Sequence, residues 1–272
     1  MKPLLLDLAL SRRVELAEAA VAAAAVEAMQ RERPETGAAA EKIAGGYAIY
    51  AGANSPITQA IGIGLSGEVS REEFDRIESF YRLRKEPVRV ETSPLADPSL
   101  FKLFGANGYE ATEFTNVMAR SIAERERFPM ANAQIQIERV GTSQLDLWAH
   151  TVSQGFAGEA DVTPEILDLM GMFARAEGME CYLALIDGAP AGAGTLAVGN
   201  GVAGLFGAST LVAFRNRGVQ GALLLARLAR AAAANCNLAV CLAQPGSSSQ
   251  RNIVRQGFAT LYTRVKFERH WK

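Results

Sequence analysis

The chain of 272 residues spells out the same succession of elements twice. "AIYAG" and then "TQAIGIGLSGEVSREEFDRIESFYRLRKEPVRVETSPLADPSLFKLFGANGYEATEFTNVMAR" read strand, helix, strand, helix, strand. "ALIDG" and then "AGLFGASTLVAFRNRGVQGALLLARLARAAAANCNLAVCLAQPGSSSQRNIVRQGFATLYTRVKFER" follow the same order. In both copies the second helix ends on Gly-aromatic, Gly108-Tyr109 in one and Gly257-Phe258 in the other. Such self-similarity points to two copies of one α/β unit, a mixed sheet with flanking helices in each. The length suits two domains of ordinary size, and a composition that is 49% hydrophobic can furnish a core for both.

Local signals mark the elements. Residues 11–32 form an Ala-rich helix that Ser11 can cap, with Pro34 and Gly37 beyond its end. Residues 45–52 and 58–67 are strand-like and glycine-bounded. Ser70 and Glu73 make a capping box, and Phe74, Ile77, Phe80 and Tyr81 follow at helical spacing. A strand over 87–94, a helix with Pro98 in its first turn and a strand over 113–120 complete the first copy. Residues 121–134 are charged and non-periodic. The expected division is a domain over 1–123, a linker over 124–134 and a domain over 135–272. In the second domain, strands flank the hairpin signal Asp187-Gly188, Thr163 caps a helix, and residues 203–210 form the fourth strand.

A net charge of -1 and a pI near 6.2 argue against nucleic-acid or membrane-surface partners. Cys181, Cys236 and Cys241 lack metal-ligand spacing and sit in apolar settings, so buried thiols and no metal are expected. The apolar start of the chain is broken by Asp7 and is too short for a signal peptide or a membrane span. The expected location is the cytoplasm, away from membranes.

The chemistry concentrates where the fourth strand hands over to the long helix. A helix N-terminus offers unpaired amides and the positive end of its dipole to phosphate oxygens. Glycine lets the backbone approach a ligand closely, and arginine adds charge-assisted hydrogen bonds. Arg215, Arg217, Gly218, Val219, Gln220, Gly221 and Ala222 bring all three features into one turn. The alternative is a plain solvent-facing helix start.

"FRNRGVQGALL" resembles the acyl-CoA pyrophosphate loop of the GCN5-related N-acetyltransferases, with its pattern Gln/Arg-x-x-Gly-x-Gly/Ala. Arg215 and Gly218 match two marked sites; the third is Gln220 instead of Gly or Ala. "SQRNIVRQGF" resembles the family's second block, with Asn252 and Gly257-Phe258, so the likeness covers about residues 135–272. It implies two tandem acyl-CoA N-acyltransferase-like domains. It also implies a V-shaped slot where Thr210, Leu211 and Val212 meet the coenzyme arm, with Ser249 and Asn252 beside it. The implied donor is acetyl-CoA or another short acyl-CoA. The acceptor would be an amine that attacks the thioester directly in a ternary complex, with no acyl-enzyme.

Departures matter. The family often has a Tyr acid where this chain has Ile253; Tyr262 and Ser249 are the candidate substitutes. The family's carboxylate base on the fourth strand is missing, which leaves Glu159, Asp161 or His150 as candidates, with a water relay equally open. In the first half Glu68, Glu72, Glu73 and Asp75 occupy the phosphate-loop position, so that half reads as a degenerate copy without coenzyme. A non-catalytic acyl-CoA-binding or interaction module is the competing reading. A homodimer is among the assemblies this reading allows.

Overall fold

The computed structural model describes residues 4–53, 55–124, 126–129 and 132–271. They divide into two compact units. The N-terminal unit takes residues 4–117, Ala243–Pro245 and 260–271; the C-terminal unit takes Met118–Leu242 and Gly246–Ala259. Three positions of the expected linker, Arg125, Met130 and Ala131, lie outside the described residues.

In the N-terminal unit α1 (Leu8–Glu32) starts earlier than its alanines suggest. Its cap is Asp7, whose carboxylate accepts from the Leu10 amide at 2.7 Å. Ser11, the expected cap, is buried inside the helix with its hydroxyl 2.8 Å from that of Ser93. Ala44 and Gly45, at φ 48° and 80°, turn β1 (Ala39–Ile43) back antiparallel onto β2 (Gly46–Tyr50). The strand expected over 58–67 shrinks to β3 (Ala60–Ile61), because Gly62, Gly64 and Gly67 all take positive φ. A parallel crossover follows through α2 (Arg71–Arg82) to β4 (Val88–Thr92), and then α3 (Pro98–Ala106) and β5 (Glu110–Ser121), of which residues up to Val117 belong here. Phe74, Ile77, Tyr81, Val88, Leu100 and Phe104 fill the core.

The last strand, β11 (Ala259–Arg269), pairs antiparallel with β4 from Val265 to Arg269, and from Thr260 onward it belongs to this unit, not to the domain over 135–272. Its side chains explain why. Phe267 stacks on Phe104 at 4.5 Å between centroids. Arg264, fully buried, meets Glu18 at 2.7 Å, Glu91 at 3.0 Å and Glu15 at 3.4 Å. The strand order here is β1-β2-β3-β4-β11-β5.

The C-terminal unit contains β6 (Gln136–Arg139), α4 (Leu145–Ala157), α5 (Pro164–Ala174), β7 (Met179–Ile186), β8 (Ala189–Gly199) and β9 (Val202–Thr210). Then come α6 (Val219–Ala233), β10 (Leu238–Ala243) and α7 (Ser248–Arg255). Their sheet runs β10-β9-β8-β7-β6. Tight turns at Asp187-Gly188 and Asn200-Gly201, all at positive φ, make β7-β8-β9 an antiparallel meander, and β9 and β10 are parallel across α6. Trp148, Val152 and Leu183 centre its core. All three cysteines are buried, and none of them is in a disulfide among the described residues.

Candidate functional site

A groove of about 740 Å³ lies wholly within the C-terminal unit, between the end of α4, the end of β9, the turn into α6, and α7. Strand geometry opens it. β9 pairs with β10 only from Val202 to Gly204, so the two strands part beyond that point and the β10-facing edge of β9 is left without a strand partner. β9 also carries one extra residue against β8: Thr195 faces Phe206, but Ala193 faces Ser209. Gly207, at φ 51°, sits in that bulge.

Helix α4 closes the opposite wall. The Ser209 hydroxyl donates to the Val152 carbonyl at 2.8 Å, which brings the helix hard against the strand. Only glycine fits at 155, since a Cβ there would lie 2.2 Å from Ser209 Oγ and 3.2 Å from the Thr210 nitrogen. The exposed ring of Phe156 borders the groove beside it.

The N-terminus of α6 faces the groove. A 3₁₀ turn over Val212–Phe214 leads through Arg215, which is extended, and Asn216, at φ 62°, to Gly218, at φ 88°. No side chain caps the helix. Its first internal bond runs from the Ala222 amide to the Gly218 carbonyl, so the amides of Val219, Gln220 and Gly221 have no partner within the helix. Val219 turns its side chain into the core and leaves only backbone for the groove. The exposed Arg215 guanidinium lies 3.4 Å from the Gly155 carbonyl.

Gln220, the departure from the family pattern, joins α6 to α7. Its amide nitrogen donates to Ser249 Oγ at 3.1 Å, and its amide oxygen accepts from Asn252 Nδ2 at 2.7 Å. Asn252 Oδ1 accepts in turn from Arg255 Nη1 at 2.8 Å.

Of the residues expected at the coenzyme, Thr210, Arg215, Gly218, Val219, Gln220, Gly221, Ser249 and Asn252 line this groove together. The others do not. Leu211 spends its amide on the Ala191 carbonyl, and Val212 sits in the 3₁₀ turn. Arg217 lays its guanidinium over the Phe214 ring at 5.5 Å, and Ala222 is buried. Glu159, Asp161 and His150 are exposed and outside the walls. Tyr262 is corrected most sharply: it is buried in the N-terminal unit, where its hydroxyl donates to Glu15 at 2.7 Å. Burial first, and then the Glu15 carboxylate, push its pKa far above the ordinary phenol value. Ile253, at the family's acid position, is buried as well.

Sequence reading passed over Gly155, Phe156, Arg255 and Arg227. The last is buried beneath the bulge and donates to the carbonyls of Thr195 at 2.8 Å, Leu223 at 3.0 Å and Phe206 at 3.3 Å. Burial lowers its pKa to about 10. The signal for Gly155 was faint, a glycine inside a helical pattern.

At the corresponding place in the N-terminal unit, α2 fills its own N-terminus. Ser70 Oγ accepts from the Glu73 amide at 3.1 Å, and the Glu73 carboxylate accepts from the Ser70 amide at 3.0 Å. Among the described residues no helix is long and apolar enough to cross a membrane, and no cluster of His, Cys, Asp and Glu could hold a metal ion.

No family model and no curated protein matches the chain. Solved structures do. A GCN5-related N-acetyltransferase from Kribbella flavida aligns with a TM-score of 0.66 at 15% identity, over 96% of both chains. A tandem GNAT protein from the clavulanic acid biosynthesis pathway gives 0.62 at 15% identity, over 96% of this chain and 94% of that one. A GCN5-related N-acetyltransferase from Sphaerobacter thermophilus gives 0.56 at 14% identity, over 73% and 65%. On this likeness the chain has the fold of the tandem GCN5-related N-acetyltransferases.

Proposed function

We propose that the C-terminal unit binds acetyl-CoA, or another short acyl-CoA, at one site per chain and passes the acyl group to an amine. The supporting observation is the difference between two helix starts. That of α6 is uncapped, glycine-led and open to a groove; that of α2 is closed by its own serine and glutamate. A diphosphate needs convergent donors, and the groove offers the free amides at the start of α6 and the guanidinium group of Arg215. In this reading the parted edge of β9 holds the pantetheine arm. The amine attacks the thioester carbonyl, the carbonyl carbon becomes tetrahedral, and the C–S bond breaks to release the thiolate. Positioning carries much of the rate.

One observation favours a second reading, an acyl-CoA-binding module without turnover. Among the described residues, no Asp, Glu, His, Lys, Cys or Tyr lines the groove. An enzyme built this way takes its proton relay from water or its base from the acceptor side. Two assays separate the readings: calorimetry with acetyl-CoA, and thiol release across an amine panel. Heat of binding together with thiol release for at least one amine supports the enzyme. Binding with no release across the panel supports the module.

A further inference from the structure

The α7 wall of the groove is wired in one direction. Arg255 donates to Asn252, Asn252 to Gln220 and Gln220 to Ser249, at 2.8, 2.7 and 3.1 Å. Each amide has a donor behind it and an acceptor ahead, so the orientation of both amides is fixed by the chain itself. The Ser249 oxygen, already accepting, is left with its hydroxyl proton to give. The remaining N–H groups of the exposed Arg255 are likewise free for a ligand, and its side chain is pre-set by Asn252. This wall therefore presents the Ser249 hydroxyl proton and the remaining Arg255 N–H groups as donors toward the groove. It stands apart from Arg215, which is tied to the α4 side of the same groove through Gly155.

A diphosphate at the α6 amides beside Arg215 leaves the Ser249–Arg255 wall without an anion. We infer that this wall is a third-phosphate subsite, taking the 3′-phosphate monoester of the coenzyme ribose, with Arg255 as the residue that selects it. Gln220 is the positioning residue: a glycine or alanine in its place would cut the chain between Asn252 and Ser249. The inference rests on the coenzyme-binding reading above and adds to it a preference for the phosphorylated ribose.

The test compares CoA with 3′-dephospho-CoA by titration calorimetry, in the wild type, in Arg255→Gln and in Gln220→Ala, with melting curves confirming that each variant folds. One charge-assisted contact predicts that the wild type binds CoA about tenfold tighter than dephospho-CoA or better. In Arg255→Gln, CoA weakens about tenfold and dephospho-CoA stays unchanged, so the preference collapses. In Gln220→Ala the preference shrinks in the same sense. Equal affinity for the two ligands in the wild type, or a preference that survives Arg255→Gln, overturns the subsite while leaving the coenzyme reading intact. Failure of the wild type to bind either ligand overturns both.

Discussion

Gly218 has two jobs, and a single substitution separates them. Its φ of 88° admits Asp or Asn at modest strain, about 1–3 kcal/mol, so Gly218→Asp is expected to fold. The new carboxylate would lie against the α6 amides and repel phosphate, so acetyl-CoA binding is expected to vanish in calorimetry while the melting transition persists. Arg215→Glu is expected to weaken acetyl-CoA at least about tenfold by reversing a charge on the groove wall. Arg217→Glu is expected to do less, since Arg217 lies over Phe214 outside the groove; an effect as large as that of Arg215→Glu would contradict this placement. At this scale the sequence disclosed what is local. Arg215 and Gly218 are three residues apart and carry their pattern with them. Arg255 and Phe156 reach the groove only through folding, and Tyr262 was misassigned because its partner, Glu15, sits at the opposite end of the chain.

Between elements, contact distances set the outcome. The seating of α4 on β9 depends on Gly155, and Gly155→Ala would force Ser209 and the Thr210 backbone aside. Overpacking of this kind costs about 1–3 kcal/mol, which should appear as a lower denaturant midpoint. Because Thr210 lines the groove, weaker coenzyme binding should accompany it. In α2, Glu73→Ala removes half of a capping box and is expected to cost about 1 kcal/mol without creating a second coenzyme site. A stoichiometry of two in that variant would show that only the cap keeps ligand out. Helices were legible because period and caps are local signals: Thr163 caps α5 and Ser70 caps α2 as expected. Strand ends were less so. β1 escaped notice because "AAEKI" has little β character and exists by pairing with β2, and β3 is cut short by glycines that read equally well as strand ends.

For the molecule as a whole, the repeat predicted the order of elements but not the membership of the last strand. β11 belongs to the N-terminal unit because Arg264 finds its carboxylates there, on α1 and β4, and no feature of "YTRVKFER" names those partners. That buried cluster has a pH signature. Burial, more than the neighbouring Glu18 and Glu91 charges, pushes the Glu15 carboxyl up to about 7, and Arg264 and Tyr262 only partly offset it. The folded-state value thus exceeds the ordinary 4.5, and the folded state holds this proton more tightly than the unfolded chain. The contribution of Glu15 to stability is therefore full below about pH 4.5 and is lost as pH rises toward 7. Glu15→Gln is expected to flatten that part of the stability profile in denaturant melts; an unchanged slope would place the titration elsewhere. The central claim, one open helix start and one closed, is tested most directly by titrating the full chain with acetyl-CoA in a calorimeter. The account predicts saturable binding at one coenzyme per chain, abolished by Gly218→Asp. Two sites per chain, no binding, or binding that survives that substitution would contradict it.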